Sequence, residues 1–240
     1  MNYYNKVARE SFPSFAPIAL KLNALLQLLT GAFLLIALVR RELFVEGKAK
    51  FLRLGLVTAL FSVAIYGFAV RMISNHQAAA NLFYYTGLLY MLLWYVETHL
   101  EKRAGDIVDK LKLLPLMLTM LYTMGQPGLQ KLINTEEVLP NYVAMFSDTF
   151  LARLPGGIPP FIYMLGLFEL LVAILVLLSI AKLEFLPGRT KTFLSSSLAI
   201  GALTFIMLAF GLSILLAYPG ATNLIFYAVF CIGFYYYAQE

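Results

Sequence analysis

The chain has 240 residues, of which 61% are hydrophobic and 13% charged, with 18 Lys and Arg against 13 Asp and Glu. Soluble domains carry about 25% charged residues, so a water-facing surface cannot be built from this composition. The positive surplus forms no basic face, because Lys and Arg lie between apolar runs. A nucleic-acid partner is therefore not expected, and membrane lipid is. Cys231 is the only cysteine, which excludes an internal disulfide, a Cys-x-x-Cys pair and a thiolate metal site.

The first fifteen residues, MNYYNKVARESFPSF, carry two basic residues ahead of an apolar stretch. No small-residue cleavage site follows, so the stretch reads as a retained helix and not a signal peptide. A spanning helix needs about 20 mostly apolar residues. Seven segments meet that length: 16–39, 52–74, 79–98, 112–131, 159–181, 192–216 and 221–238. The fourth is interrupted by Gln126 and Pro127, where a kink or the helix exit is expected. Between the fourth and fifth lies 132–158, whose VLPNYVAMFSDTF suits a short helix lying on the membrane before a break at Leu154-Pro-Gly-Gly-Ile-Pro-Pro. The fold class expected is all-α, a polytopic membrane helix bundle of about seven transmembrane helices.

Loop charges orient the bundle. Arg40, Arg41, Lys48, Lys50, Arg53, Lys102, Arg103, Lys110, Lys112, Lys182, Arg189 and Lys191 fall on one side; Lys6, Arg9, Arg71, Lys131 and Arg153 fall on the other. Twelve against five puts the first side in the cytoplasm, with the N-terminus outside and the C-terminus inside.

An internal repeat runs through the chain. Residues 16–98 fall without a gap on 158–240 at a constant offset of 142. Pro17 meets Pro159, Gln27 meets Glu169, and Arg40 and Glu42 meet Lys182 and Glu184. Phe51-Leu52 meets Phe193-Leu194, Asn81-Leu82 meets Asn223-Leu224, Tyr85 meets Tyr227, and Tyr95 meets Tyr237. Leu on Leu means little in apolar helices; Pro, Asn, Tyr and charge matches at one offset mean more. The offset skips four spans, so both units point the same way, and the fourth span has no counterpart. Two membrane units are expected, 1–105 with three helices and 106–240 with four.

The second unit carries further signals. The fourth span ends in Gly128-Leu-Gln-Lys131-Leu, an external segment follows with an aromatic and a Leu-Pro between Phe146 and Pro155, and the next span holds Phe168-Glu169-Leu-Leu. In these features residues 107–240 resemble the DoxX-like family of four-helix membrane proteins, with its Gly-x-x-Lys closing the first helix and its mid-membrane acid. The N-terminal half then looks like a partial copy, without the first helix and with Gln27 in place of the acid. The resemblance implies a membrane subunit that anchors or supports a quinone-linked redox complex, with other membrane-protein subunits as partners. It also implies a bacterial cytoplasmic membrane, no cofactor of its own, and a quinone or lipid as the candidate ligand. The alternatives are a non-catalytic assembly or interaction factor and a small-solute transporter.

Glu169 is the most informative residue and the candidate for any catalytic role. An ionised acid near the bilayer midplane costs at least about 2.5–3.5 kcal/mol. It therefore needs protonation, a partner or an interior position, and it serves either chemistry or an interhelical hydrogen bond. Lys131 is either an interface lysine that snorkels outward or the partner of Glu169, with Gly128 allowing close approach. Lys21 is the rival partner, and Asn23 and Gln27 suit interhelical hydrogen bonds. Tyr90 is too deep for an interfacial belt and suits core packing or the lining of a cavity. His76 and His99 lie on opposite sides, so no bis-histidine haem site and no metal site is expected.

Overall fold

In a computed structural model the described residues, 16–44, 49–72, 76–100 and 107–239, are helical with no strand among them. In chain order the helices are α1 (Ala16–Val39), α2 (Lys50–Met72), α3 (His76–His99), α4 (Ile107–Leu111), α5 (Leu114–Leu132) and α6 (Thr135–Phe146). A 3-10 turn at Phe150–Arg153 follows, then α7 (Pro159–Ala181), α8 (Thr192–Ile214) and α9 (Tyr218–Gln239). Lys6, Arg9, Lys48, Lys102 and Arg103 of the charge count lie outside the described residues.

Five helices, α1, α2, α7, α8 and α9, are long and apolar enough to cross a membrane. This is a helical membrane protein. Apolarity alone vouches for five of the seven expected spans. α3 forms at the expected place, but His76, Gln77, Asn81, Glu97 and His99 dilute it. α5 has 19 residues and carries Gln126, Gln130 and Lys131. Pro127 is not the exit of its helix, since α5 continues five residues beyond it to Leu132. The segment between the fourth and fifth expected spans holds a helix as expected, beginning earlier, at Thr135. Gly156 and Gly157, at φ of 87° and 64°, adopt the left-handed conformations that glycine takes without a Cβ penalty. They turn the chain into α7, which starts on a proline.

The chain forms two contact units. One holds the described residues up to Thr119 with Phe185–Arg189; the other holds Met120–Glu184 and Thr190 onward. The division falls inside α5. In the first unit α1 packs on α2 and α2 on α3; in the second α7 packs on α8 and α8 on α9.

The offset of 142 reaches down to single hydrogen bonds. At the end of α1, Arg41 has φ 53°, with Glu42 N donating to Ala37 O and Arg41 N to Leu38 O. At the end of α7, Leu183 has φ 55°, with Glu184 N donating to Ser179 O and Leu183 N to Ile180 O. Each is a Schellman closure, which satisfies the last carbonyls of a helix, built here without the usual glycine. The glutamate that follows then reaches forward to the next helix. Glu42 Oε2 accepts Leu52 N at 2.9 Å, and Glu184 Oε2 accepts Leu194 N at 2.8 Å. A carboxylate at a helix N-terminus satisfies donors that have no intrahelical partner and lies well in the helix dipole.

Candidate functional site

α5 approaches α7 through small residues. A Cβ added at Gly128 would lie 2.7 Å from Leu170 N and 3.1 Å from Glu169 Cβ; one added at Gly166 would lie 2.9 Å from Lys131 Cβ. Gly125 faces Ala173 in the same way, at 3.4 Å. Glycines on both helices thus bring the backbones together at the level of Lys131 and Glu169, as small residues do between membrane helices.

At this crossing Lys131 Nζ donates to Glu169 Oε1 at 2.8 Å and to Oε2 at 2.6 Å. The two residues are 4% and 2% exposed. Glu169 lies 11 residues beyond Ile158, about 16 Å along α7 at 1.5 Å per residue. Hydrocarbon offers nothing to bond a lone carboxylate; a bidentate ammonium does. Of the two readings of Lys131, the structure therefore takes the inward one. The ammonium also faces the Tyr142 ring of α6, 5.9 Å from its centroid, a contribution the sequence did not signal. On α5, Thr123 Oγ1 and Gln126 Oε1 are buried without a hydrogen-bond partner.

Gly128 does lie against Glu169, and Lys131 bonds it; the other two candidates are Lys21 and Gln27. Both belong to the first unit and face outward from α1. Asn23 does make the interhelical bond expected of it, accepting Ser62 Oγ at 2.9 Å; Gln27 stays on the outer face. Tyr90 has a structural part: its hydroxyl donates to Lys112 O and accepts Leu116 N, bridging the break between α4 and α5.

No family model, curated protein or solved structure matches the chain. The likeness to the DoxX-like family rests on its motif residues alone.

An apolar cavity of about 430 Å³ adjoins the pair. α6 and the 3-10 turn roof it, α7 and α8 wall it, and Lys131 is the one charged residue on its lining. The roof is pinned by Phe146, which clusters with Ile158 and Ile162, while Glu136, Glu137 and Asn141 face outward from α6.

A second charged cluster lies in the first unit. Arg53, 1% exposed, bonds Glu97 at 3.0 Å and Asp109 at 2.8 Å, and Lys112 bonds Glu97 at 2.8 Å. Arg53 and Lys112 count among the loop charges in the sequence. Arg53 is instead buried at the start of α2, because two carboxylates from elsewhere in the chain converge on it. Within unit 2 the offset leads to Ser195 and Gln239 in place of Arg53 and Glu97, so this cluster has no copy there.

Proposed function

We propose that the chain is a seven-span membrane subunit of the DoxX-like type that supports a quinone-linked redox complex in a bacterial cytoplasmic membrane. Its N-terminus is outside and its C-terminus inside. The Lys131–Glu169 pair is the observation that carries this reading. An ion pair costs solvation wherever it is buried, and acids placed among spanning helices serve function by default. Lys131 borders an apolar space, where a lipophilic carrier can approach an ammonium that Glu169 holds in place. Single-electron chemistry belongs to partner subunits, and this chain contributes the lipid-facing site and the anchor.

Purification of the intact complex from native membranes tests the reading. Redox subunits and quinone co-purify with the native chain. Glu169→Gln, which keeps the hydrogen-bonding shape, folds and loses quinone-dependent turnover, while Glu169→Leu also destabilises. Full turnover in Glu169→Gln, with only destabilisation in Glu169→Leu, reduces the pair to a packing contact and ends the proposal.

One observation favours the second reading, an interaction or assembly factor. The face of α7 that α5 meets contains Gly166, Glu169 and Ala173, all buried. At the repeat offset α1 presents Ala24, Gln27 and Gly31, all outward-facing. A mid-span amide turned outward gains from a hydrogen-bonding helix of another protein. A photo-crosslinker at Gly31 that yields one defined membrane protein, while one at buried Ala173 yields none, supports this reading; equal labelling by lipid at Gly31 rejects it.

A further inference from the structure

We propose that the cavity beneath α6 is a binding site for a neutral lipid with one long apolar chain and a carbonyl-bearing head, the head held by Lys131. The site shares Lys131 with the proposed function but needs no redox complex to exist.

The space comes first. Its volume of about 430 Å³ lies within the range of small-molecule sites, roughly 300–1,000 Å³. Most of the lining is aliphatic or aromatic, including Ile162, Leu165 and Met207. The way in is lateral: Met164, Ile206 and Phe210 line the cavity yet are 39%, 46% and 60% exposed. These residues belong to α7 and α8, whose outward faces meet hydrocarbon in a membrane. A chain can therefore slide in from the bilayer without crossing water.

The head group follows from the pair. An ammonium has three N–H donors, and the structure directs two to Glu169. The third can go to an acceptor in the cavity. Glu169 already neutralises Lys131, so an anionic head would gain no net attraction and would meet the carboxylate at close range. A neutral carbonyl oxygen accepts the third N–H without that repulsion. The Tyr142 ring, which lines the same cavity and lies over the ammonium, offers a flat apolar contact beside the head.

Two sources share this chemistry, an isoprenoid quinone and a monoacylglycerol. The experiment uses the full chain, purified and delipidated in mild detergent, with radiolabelled decylubiquinone, monoolein and oleate as probes in saturation binding. At least one neutral probe is expected to bind at one molecule per chain, with oleate at least tenfold weaker. Leu165→Trp puts an indole into the cavity and keeps both charged residues, and is expected to weaken the neutral probe at least tenfold while helicity and elution volume stay native. Met207→Trp serves if Leu165→Trp does not fold. The double variant Lys131→Met with Glu169→Leu, which leaves no charge at this crossing, is expected to lose affinity for the head.

Monoolein bound without decylubiquinone keeps the site and removes the quinone from the proposed function. Absence of saturable binding by both neutral probes overturns the site, as does unchanged binding in a folded Leu165→Trp, or oleate bound as tightly as the neutral probes. Co-purification with redox subunits is read separately, so failure of one inference is told from failure of the other.

Discussion

Glu42 and Glu184, 142 residues apart, occupy the same structural place: each follows a residue in the left-handed conformation and accepts the backbone N–H of a leucine ten residues on. Glu184 does more, since its carboxylate also accepts Phe193 N at 3.1 Å and Ser179 Oγ at 2.8 Å. The copies have kept the hinge between helices, while the mid-span acid stands in only one of them.

The caps give the first expectation. Loss of an N-terminal cap costs about 0.5–2 kcal/mol. Glu184→Ala should fall at the upper end, because three donors lose a buried acceptor, and Glu42→Ala should cost less. At about 2–4 °C per kcal/mol for a chain of this size, thermal unfolding in detergent resolves both. Equal, negligible shifts would contradict the capping role.

The ion pair gives the second. Removing one partner strands the other charge, at a cost of about 3–5 kcal/mol. Lys131→Met should therefore be severe. Adding Glu169→Leu to Lys131→Met should recover much of the loss, since the double variant leaves no charge at this crossing. A double-mutant cycle on unfolding free energies checks this; strictly additive effects would mean that the two residues do not interact.

Two glycines of helix interiors should respond in opposite ways. Gly128→Ala drives a methyl to 2.7 Å from a backbone nitrogen of α7. Backbone cannot rotate aside, so a loss of about 1–3 kcal/mol is expected, in the range of overpacked cores. Gly31→Ala meets nothing within 4 Å and should be neutral, or gain up to about 1 kcal/mol from helix propensity. Thermal midpoints of the two variants, measured side by side, decide the matter.

Topology is open to a direct test. With seven spans, reporters fused after Glu240 and after Gly105 should both report the cytoplasm, as the excess of Lys and Arg on that side requires. Opposite reports would remove α5 or one of α7 to α9 from the count of spans.

Composition and pattern sufficed for the all-helical membrane class, for the places of the long helices, and for an offset that the caps at Glu42 and Glu184 share. Each follows from local composition: apolar runs of spanning length cannot do otherwise than form helices in lipid, and α7 begins and ends where the apolar pattern does. The constant offset was visible because proline, asparagine, tyrosine and charge matches do not depend on packing. Glu169 was legible as a residue needing company, since the cost of a mid-span acid is a property of the residue and its depth. Tertiary structure alone decided which company it has. Lys131 and Lys21 were both within reason on the sequence, and the choice fell to the glycine crossing of α5 on α7, a matter of which helix faces meet. The burial of Arg53, the outward face of Gln27 and the space beneath α6 were equally beyond the sequence. A charge, an amide or a void acquires its surroundings from residues distant in the chain, and hydropathy along one segment carries no record of them.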